Sequence, residues 1–566
     1  MDKRVIVFLV LSLTIILGFD LFLRQMGWLP EPPPAQDGSV PASPSSEREP
    51  TSALQTGKDS SSTGLNVRNQ SSTKSSGPMP GISLPASEQT VTVETGLVRV
   101  ELSNRGGVIR RWELKRYHTD PPEEKPVQLV YQGGKFKGPL SMTVANADID
   151  KTIREALYNI ETDFSKLDAA HPVGHVTMRF HDPASHLSVE KHLTFHHDSY
   201  VVDVSFAIDG VTESYDIGLG TNFGIVEWGD GFIGLIGSAS QVDNKIEKET
   251  PETGLERKGA VQWVALQDKY FLSVLIPKAA TAALAKTEDP KIVSAGVRIA
   301  GSGGASSIAL QLYAGPKEYD TLRSMNVGLE DMIDFGWFIF GSWTVVKSVA
   351  KPIFYVLRFL HEYINNYGAC IVLLTVGIKL LFVPLQYKSY KSMKMMRLIQ
   401  PKIKEVQEKY KGDRDRLNKE LMKLYREQKV NPLGGFLPMF LQMPVFVALF
   451  NVLYMTIDLR QAPFMLWVTD LSLQDPFYVL PVLMGVTMFI QQKITPTTMD
   501  PAQAKMMLIL PIGLTFLFVN FPAGLVLYWL TNNVLTITQQ LVTDRFLLTD
   551  KALVAAGAQQ SGSTSA

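Results

Sequence analysis

Apolar residues in this chain are concentrated in two regions, and this distribution constrains the fold more than any other feature. One group fills the first 25 positions, and the other recurs as separate stretches from 335 to 545. A helix of ~20 apolar residues spans a ~30 Å hydrocarbon layer. The overall hydrophobic fraction of 45% is ordinary for a soluble protein. The average therefore conceals a membrane protein with a large polar insert.

The amino-terminal region predicts an anchor followed by a tether. Residues 1–28 begin with Lys3 and Arg4 and continue into an apolar run, which favours an uncleaved transmembrane anchor with a cytoplasmic amino terminus. A cleaved signal peptide is the alternative, but no A-x-A cleavage pattern follows the run. Residues 29–88 are rich in Pro and Ser and poor in aromatics, so we expect a disordered linker beyond the anchor.

From 89 to 325 the hydrophobic period changes to two, as in "TVTVETGLVRVEL" and "SYVVDVSFAI". This alternation predicts a β-sandwich domain without a nucleotide-binding or hydrolase motif, and the anchor before it places the domain on the far side of the membrane. Seven closely spaced histidines raise the possibility of a metal site, but they lack metal-ligand spacing and are interpreted as surface or strand-end residues. The chain has one cysteine, Cys370, so no intrachain disulfide stabilises this domain.

The remaining residues predict a helical membrane unit. Residues 326–364 carry aromatics among sparse charges, which is typical of an interfacial amphipathic helix. Residues 365–545 contain five apolar stretches, and the segment 388–429 between the first two holds 14 Lys or Arg against 6 Asp or Glu. The positive-inside rule places a cytoplasmic helical hairpin at 388–430. With the anchor, the prediction is six transmembrane helices, a cytoplasmic tail at 546–566, and both termini inside.

Polar residues recur on the predicted spans, and acidic residues do not. Lys379 lies within "TVGIKLLFVPL", one helical turn after Thr375. The later spans add more polar side chains: Gln442, Thr487, Gln491, Thr515, Tyr528 and Asn532. Such a stripe indicates a hydrated cavity with one positive charge. Snorkelling of Lys379 to the interface is one alternative, an anion site in a transporter or channel is a second, and a general base in an intramembrane enzyme is a third.

The basic hairpin has helical spacing on both sides of Gly412. Its positive charge is explained by a cytoplasmic location under the positive-inside rule and by attraction to anionic lipids. A docking platform for ribosomes or nascent chains is compatible with this, and its candidate residues are Lys394, Met395, Met396, Arg397, Lys402, Lys404, Arg414 and Arg416.

The segments "QPKIKEVQEKY", "VNPLGGFLPMFLQMPVFVALF" and "FPAGLVLYWLTNN" resemble the YidC/Oxa/Alb family of membrane-protein insertases. The resemblance implies a periplasmic β-supersandwich domain of Gram-negative type and a five-helix insertase core in the inner membrane. It also implies a groove in which Lys379 replaces the usual arginine and Trp529 a frequent tyrosine.

The expected partners are nascent membrane proteins, the Sec translocon (SecYEG and SecDF), the ribosome and the signal recognition particle pathway. We expect no cofactor, no metal, no nucleic-acid substrate and no enzymatic activity. A small-molecule or ion transporter with Lys379 as its anion site is the alternative.

Overall fold

A computed structural model describes residue 85 and residues 87–547, except 122, 134–135, 228–235, 250–253, 302–303, 334, 336–343, 429, 431–436 and 496–507. The predicted anchor, most of the predicted linker and the tail beyond residue 547 lie outside the described residues.

The amino-terminal half of the described chain consists of antiparallel sheets. A four-stranded sheet contains β1 Thr90–Glu94, β2 Val98–Ser103, β3 Val108–His118 and β4 Pro126–Gln128. A five-stranded sheet contains, in spatial order, β13 Leu255–Lys258, β16 Ala282–Asp289, β17 Ile292–Ile299, β10 Tyr215–Thr221 and β5 Met142–Val144. A nine-stranded sheet contains, in spatial order, β12 Lys245–Glu249, β11 Gly237–Val242, β14 Val261–Gln267, β15 Phe271–Pro277, β18 Ser306–Pro316, β9 Val201–Asp209, β8 Leu187–His196, β7 Val173–Asp182 and β6 Asn159–Thr162.

The five-stranded and nine-stranded sheets pack against each other through β17 and β14, so the β region is a sandwich. Alternation supplies its core because successive side chains of a strand point to opposite faces. In β8 the buried and half-buried positions alternate along the whole strand. One buried position of β8 holds Lys191, which is fully inaccessible to solvent.

Lys191 is buried without an acidic partner among the described residues. Its Nζ donates hydrogen bonds to the carbonyl oxygens of Gly106 (2.9 Å), Gly107 (2.7 Å) and Leu140 (2.9 Å). Three acceptors match the three protons of an ammonium group. Burial lowers the pKa of Lys191 to about 7. The side chain therefore ties β8 to the turn between β2 and β3.

The carboxy-terminal half of the described chain is helical. Its helices, with the two short helices of the β region, are α1 Ala147–Glu155, α2 Tyr319–Ser324, α3 Thr344–Tyr363, α4 Tyr367–Lys409, α5 Arg414–Glu427, α6 Leu437–Met455, α7 Val479–Ile494, α8 Leu510–Phe518 and α9 Ala523–Val542. Short 3-10 turns lie at Leu329–Met332 and Ile457–Leu459, and a π-helical turn lies at Thr543–Leu547.

Helix α4 is continuous over 43 residues and includes Pro384 and Pro401. The expected start of the hairpin at 388 therefore falls inside this helix, because a proline removes one backbone hydrogen bond without always ending a helix. Among the described helices, α4 alone is long and apolar enough to cross a membrane. Two shorter apolar helical segments, Gln442–Met455 and Val479–Ile494, fall below that length.

One arginine joins the β region to the helical region. Arg460, which follows the 3-10 turn after α6, donates to the carbonyl oxygen of His118 (3.1 Å) and to Asp120 (2.9 Å). Its guanidinium lies 5.3 Å from the ring centre of Tyr270, and its side chain is only 3% exposed. The neighbouring Asp458 is half-buried, and the partial loss of solvent raises the pKa of its carboxyl group to about 6. Because the guanidinium of Arg460 is removed from water, its hydrogen bonds help to fix the orientation of the β region on the helical region as well as attracting Asp120.

Candidate functional site

Helix α4 fixes the depth of Lys379. The helix begins after Asn366, whose side chain accepts a hydrogen bond from the backbone N–H of Ala369 at 2.9 Å. The same side chain donates to the carbonyl oxygen of Phe464 at 2.7 Å. The cap therefore binds the start of α4 to the loop after α6, and Lys379 lies about 18 Å further along the helix.

Lys379 is 7% exposed. Its Nζ donates to the hydroxyl oxygen of Thr536 on α9 at 2.7 Å, and that hydroxyl donates to the carbonyl oxygen of Asn532 at 2.6 Å. No carboxylate of the described residues pairs with it. An ammonium has three protons, so a single hydroxyl leaves most of its hydrogen-bonding capacity unused. A buried cation of this kind carries a high desolvation cost.

The structure brings several of the sequence-predicted polar residues together. Gln442 on α6 donates to the side-chain oxygen of Asn532 on α9 at 3.3 Å. Asn532 is adjacent in sequence to Asn533, which is 2% exposed and donates to the hydroxyl of Thr487 on α7 at 3.3 Å. Through these contacts α9 connects Lys379 on α4 with α6 and α7.

The aromatic residues of α9 form the apolar wall beside these contacts. Trp529 packs edge-on against Phe446 (4.9 Å between ring centres) and Phe518 (4.6 Å). Tyr528 is 2% exposed and lies 6.0 Å from Phe446. Both residues therefore hold α9 against α6, and Trp529 also contacts α8.

Other sequence-predicted residues do not contact Lys379. The hydroxyl of Thr375 is buried and donates to the carbonyl oxygen of Ile371 on its own helix, and Thr515 does the same with Pro511. Thr515 faces Gly485, where a Cβ atom would lie 2.0 Å from its hydroxyl, so α8 packs closely on α7 at this point. Gln491 is half-buried on α7.

Sequence reasoning missed three buried polar residues of α9: Asn533, Thr536 and Gln540. Their spacing of three and four residues places them on one face of the helix. The same spacing is present in the sequence "TNNVLTITQQ", so these three residues could have been predicted from it. The prediction instead followed the neighbouring face because Tyr528 and Asn532 lie on it.

The hairpin uses part of its predicted docking surface for its own packing. Met396 is 9% exposed and forms a small cluster with Ile399 and Val430, against which Met395 packs. Sequence alone does not distinguish such residues from exposed adaptable contacts.

The basic residues of the hairpin are mostly outside this cluster. Arg397, Lys402, Lys404 and Arg416 are exposed, and the side chain of Arg414 lies outside the described residues. Lys394 is less exposed and pairs with Asp544, after α9, at 3.4 Å. The hairpin therefore presents charge to solvent, and an ion pair joins it to the turn that follows α9.

Comparisons with known proteins cover nearly the whole chain. The family model described as 60Kd inner membrane protein matches residues 359–550, and that of the YidC periplasmic domain matches residues 90–356. The chain is 36% identical over 557 residues to the membrane protein insertase YidC of Geobacter metallireducens, covering 95% of this chain and 98% of that protein. The chain belongs to the YidC family of membrane protein insertases. The YidC protein of Geotalea uraniireducens is 37% identical over 568 residues, covering 97% of this chain and 100% of that protein.

A solved crystal structure of an active YidC insertase matches 80% of this chain and 93% of its own at 18% identity, with a TM-score of 0.35. As a member of the YidC family, the chain is a bacterial inner-membrane protein with a β-rich periplasmic domain and a helical carboxy-terminal region. Within the described residues no group of three or more His, Cys, Asp or Glu side chains could hold a metal ion.

Proposed function

We propose that this chain inserts newly made inner-membrane proteins and helps them fold, alone or with the Sec translocon (SecYEG and SecDF), through a hydrophilic groove with one positive charge. The observation that carries the proposal is Lys379, which is buried and has one hydroxyl partner among the described residues. An ammonium group with unused donors is suited to bind a transient anionic group.

The proposed mechanism needs no nucleotide hydrolysis. A polar segment of the client enters the groove and avoids the full cost of entering hydrocarbon. Lys379 attracts acidic residues of that segment, while the apolar part of the client moves into lipid. Burial of apolar surface drives insertion, and the membrane potential acts on negative residues of the client. The polar lining is formed by Thr375, Gln442, Thr487, Gln491, Thr515, Tyr528, Trp529 and Asn532.

The family resemblance implies arginine at the position of Lys379, and the two side chains bind a carboxylate differently. Lysine is a compact point charge, whereas arginine binds a carboxylate through two parallel hydrogen bonds. We therefore propose that the groove requires positive charge rather than a two-pronged geometry.

The topology and the partners are part of the same proposal. Six transmembrane helices leave both termini and the hairpin in the cytoplasm and the β region in the periplasm. The exposed charges of the hairpin are suited to anionic lipids and to the ribosome or the signal recognition particle pathway, because Arg397, Lys402 and Lys404 are all exposed.

Reconstitution tests this function directly. The full chain is purified and placed in liposomes, and a single-span client with an acidic tail is synthesised in their presence. Protection of the tail from external protease supports insertion; a client that remains fully digested contradicts it.

Parallel assays separate the alternatives. Solute or ion flux through the same liposomes would favour a transporter, and cleavage of the client would favour an intramembrane enzyme.

A further inference from the structure

Two glutamines in the helical region are buried with one end of their carboxamide unpaired. Gln386 on α4 is 7% exposed and Gln540 on α9 is 1% exposed. Neither the side-chain oxygen of Gln386 nor the side-chain nitrogen of Gln540 has a hydrogen-bond partner among the described residues. Buried polar groups are almost always hydrogen-bonded, so these two unpaired ends require an explanation.

We call the contact between α4 and α9 the seam, and helical periodicity places both glutamines along it. The contact of Lys379 with Thr536 sets the register of the two helices. Gln386 follows Lys379 by two turns (about 10 Å) and Gln540 follows Thr536 by one turn (about 6 Å), on the same helix faces. The two carboxamides therefore lie on the same side of Lys379, toward the hairpin.

The unpaired ends are chemically complementary. One needs a hydrogen-bond donor and the other needs an acceptor, and a peptide group supplies both. The opposite end of Gln540 is already used, since its side-chain oxygen accepts a hydrogen bond from the hydroxyl of Thr495, just after α7, at 3.4 Å. Beyond the glutamines, the ion pair between Lys394 and Asp544 closes the seam at the hairpin.

We propose that Gln386 and Gln540 bind the polypeptide backbone of the client's polar segment when α4 and α9 separate in this half of the groove. The inference rests on the proposed function and extends it. Lys379 binds acidic side chains of the client, whereas the two carboxamides bind only its backbone. The carboxamide site is therefore independent of the client's sequence. Unpaired groups also destabilise the closed seam, which favours its opening when a client arrives.

The first test combines stability with activity in Gln386→Leu and Gln540→Leu. Leucine has a similar size and leaves no unpaired group. We expect each variant to raise the Tm of the full chain in nanodiscs by about 2–4 °C. We expect insertion of the liposome client to fall about 2–10-fold, which corresponds to one lost hydrogen bond. Asn533→Leu is the matched control: its amide is paired, so that variant lowers the Tm.

Each alternative outcome overturns the proposal. A raised Tm with unchanged insertion means that the pair binds no client. A lowered Tm in the leucine variants means that the carboxamides are satisfied in the closed seam.

The second test measures proximity to a defined client. Because Cys370 is the only cysteine, a Cys370→Ala background makes position 540 the single thiol in Gln540→Cys. With copper(II)–phenanthroline added as the oxidant, a client with one cysteine in its polar tail should form a disulfide with that thiol. It should not do so with Leu541→Cys, the next residue, whose side chain is half exposed on the outer surface of α9. Equal crosslinking at both positions contradicts the inference.

Failure of the inference is distinguishable from failure of the proposed function. If the wild-type chain inserts the client, Lys379→Glu does not, and both leucine variants insert normally, then the backbone site alone is wrong. If the wild-type chain does not insert the client, the proposed function is wrong.

Discussion

The β region and the helical region each contain a buried lysine without an acidic partner among the described residues, and the two lysines differ in their hydrogen bonds. Lys191 is fully buried and donates to three backbone carbonyl oxygens. Lys379 is 7% exposed and donates to one hydroxyl. A saturated ammonium group has no donor left for a ligand, whereas a largely unsaturated one does. The proposal for Lys379 therefore rests on its unused hydrogen-bonding capacity, because burial alone does not separate it from Lys191.

The largest effect is expected from reversing the charge of Lys379, the lysine with unused hydrogen-bond donors. Lys379→Glu should reduce insertion of acidic-tailed clients about tenfold or more, because like charges repel where attraction is needed. The protein should still fold, since Lys379 has a single partner to lose. Protease protection in liposomes measures insertion. Lys379→Arg is the control that keeps the charge, and normal insertion by Lys379→Glu would contradict the electrostatic role.

Replacement of Lys191, whose three donors are all used, should affect stability and leave insertion unchanged. Lys191→Met leaves three buried carbonyl oxygens without their donor, and we expect a loss of about 3 kcal/mol or more in the free energy of unfolding. Insertion by the chains that remain folded should be unchanged. Thermal unfolding of the full chain, followed by tryptophan fluorescence, gives the stability. A neutral effect on unfolding would remove the distinction between the two lysines.

The arginine between the two regions should have an intermediate effect. Arg460→Met removes the contacts with His118 and Asp120, and should weaken docking of the β region by about 1–2 kcal/mol. Energy transfer between labels on the β region and the helical region measures docking. The matched control is Gln461→Ala, which removes an exposed contact with the same His118 carbonyl oxygen and should change the signal less.

Stability of the β region should depend on pH through Lys191. Its pKa falls from 10.5 to about 7 because the folded protein buries it. Between these values the unfolded chain binds one proton more than the folded chain, so stability rises with pH from 7 toward 10.5. The neutral amine still donates to two of the three carbonyl oxygens. The Tm difference between wild type and Lys191→Met at pH 7 and pH 9 isolates this contribution, and an unchanged difference would refute it.

The smallest effect is expected from the partner of Lys379. Thr536→Val removes the hydroxyl that accepts from the ammonium group and should cost about 1 kcal/mol of stability. Insertion should persist, since the charge remains. Thr538→Val is the control, because the hydroxyl of Thr538 bonds only to the carbonyl oxygen of Val534 and is exposed. Similar Tm values for the two variants would show that the Lys379 contact contributes nothing.

Sequence periodicity predicted a β-rich region followed by a helical region, and both are present. It could not show that α4 continues through Pro384 and Pro401, because helix continuity across proline depends on the packing of neighbouring helices. It also placed Asn532 among the polar residues but overlooked Asn533, Thr536 and Gln540. A choice between adjacent helix faces depends on where the other helices lie.

The sequence by itself determined the division into apolar and alternating regions, the family, and the position of Lys379 within an apolar stretch. These follow from local composition, period and motif. Only the tertiary structure decided which buried lysine uses all of its hydrogen-bond donors. Lys191 occupies an inward position in an alternating strand, but its three carbonyl acceptors come from residues 51 to 85 positions earlier in the chain. The partner of Lys379 is 157 positions later. Hydrogen bonds between such distant residues form only when the chain packs, so no local pattern encodes them.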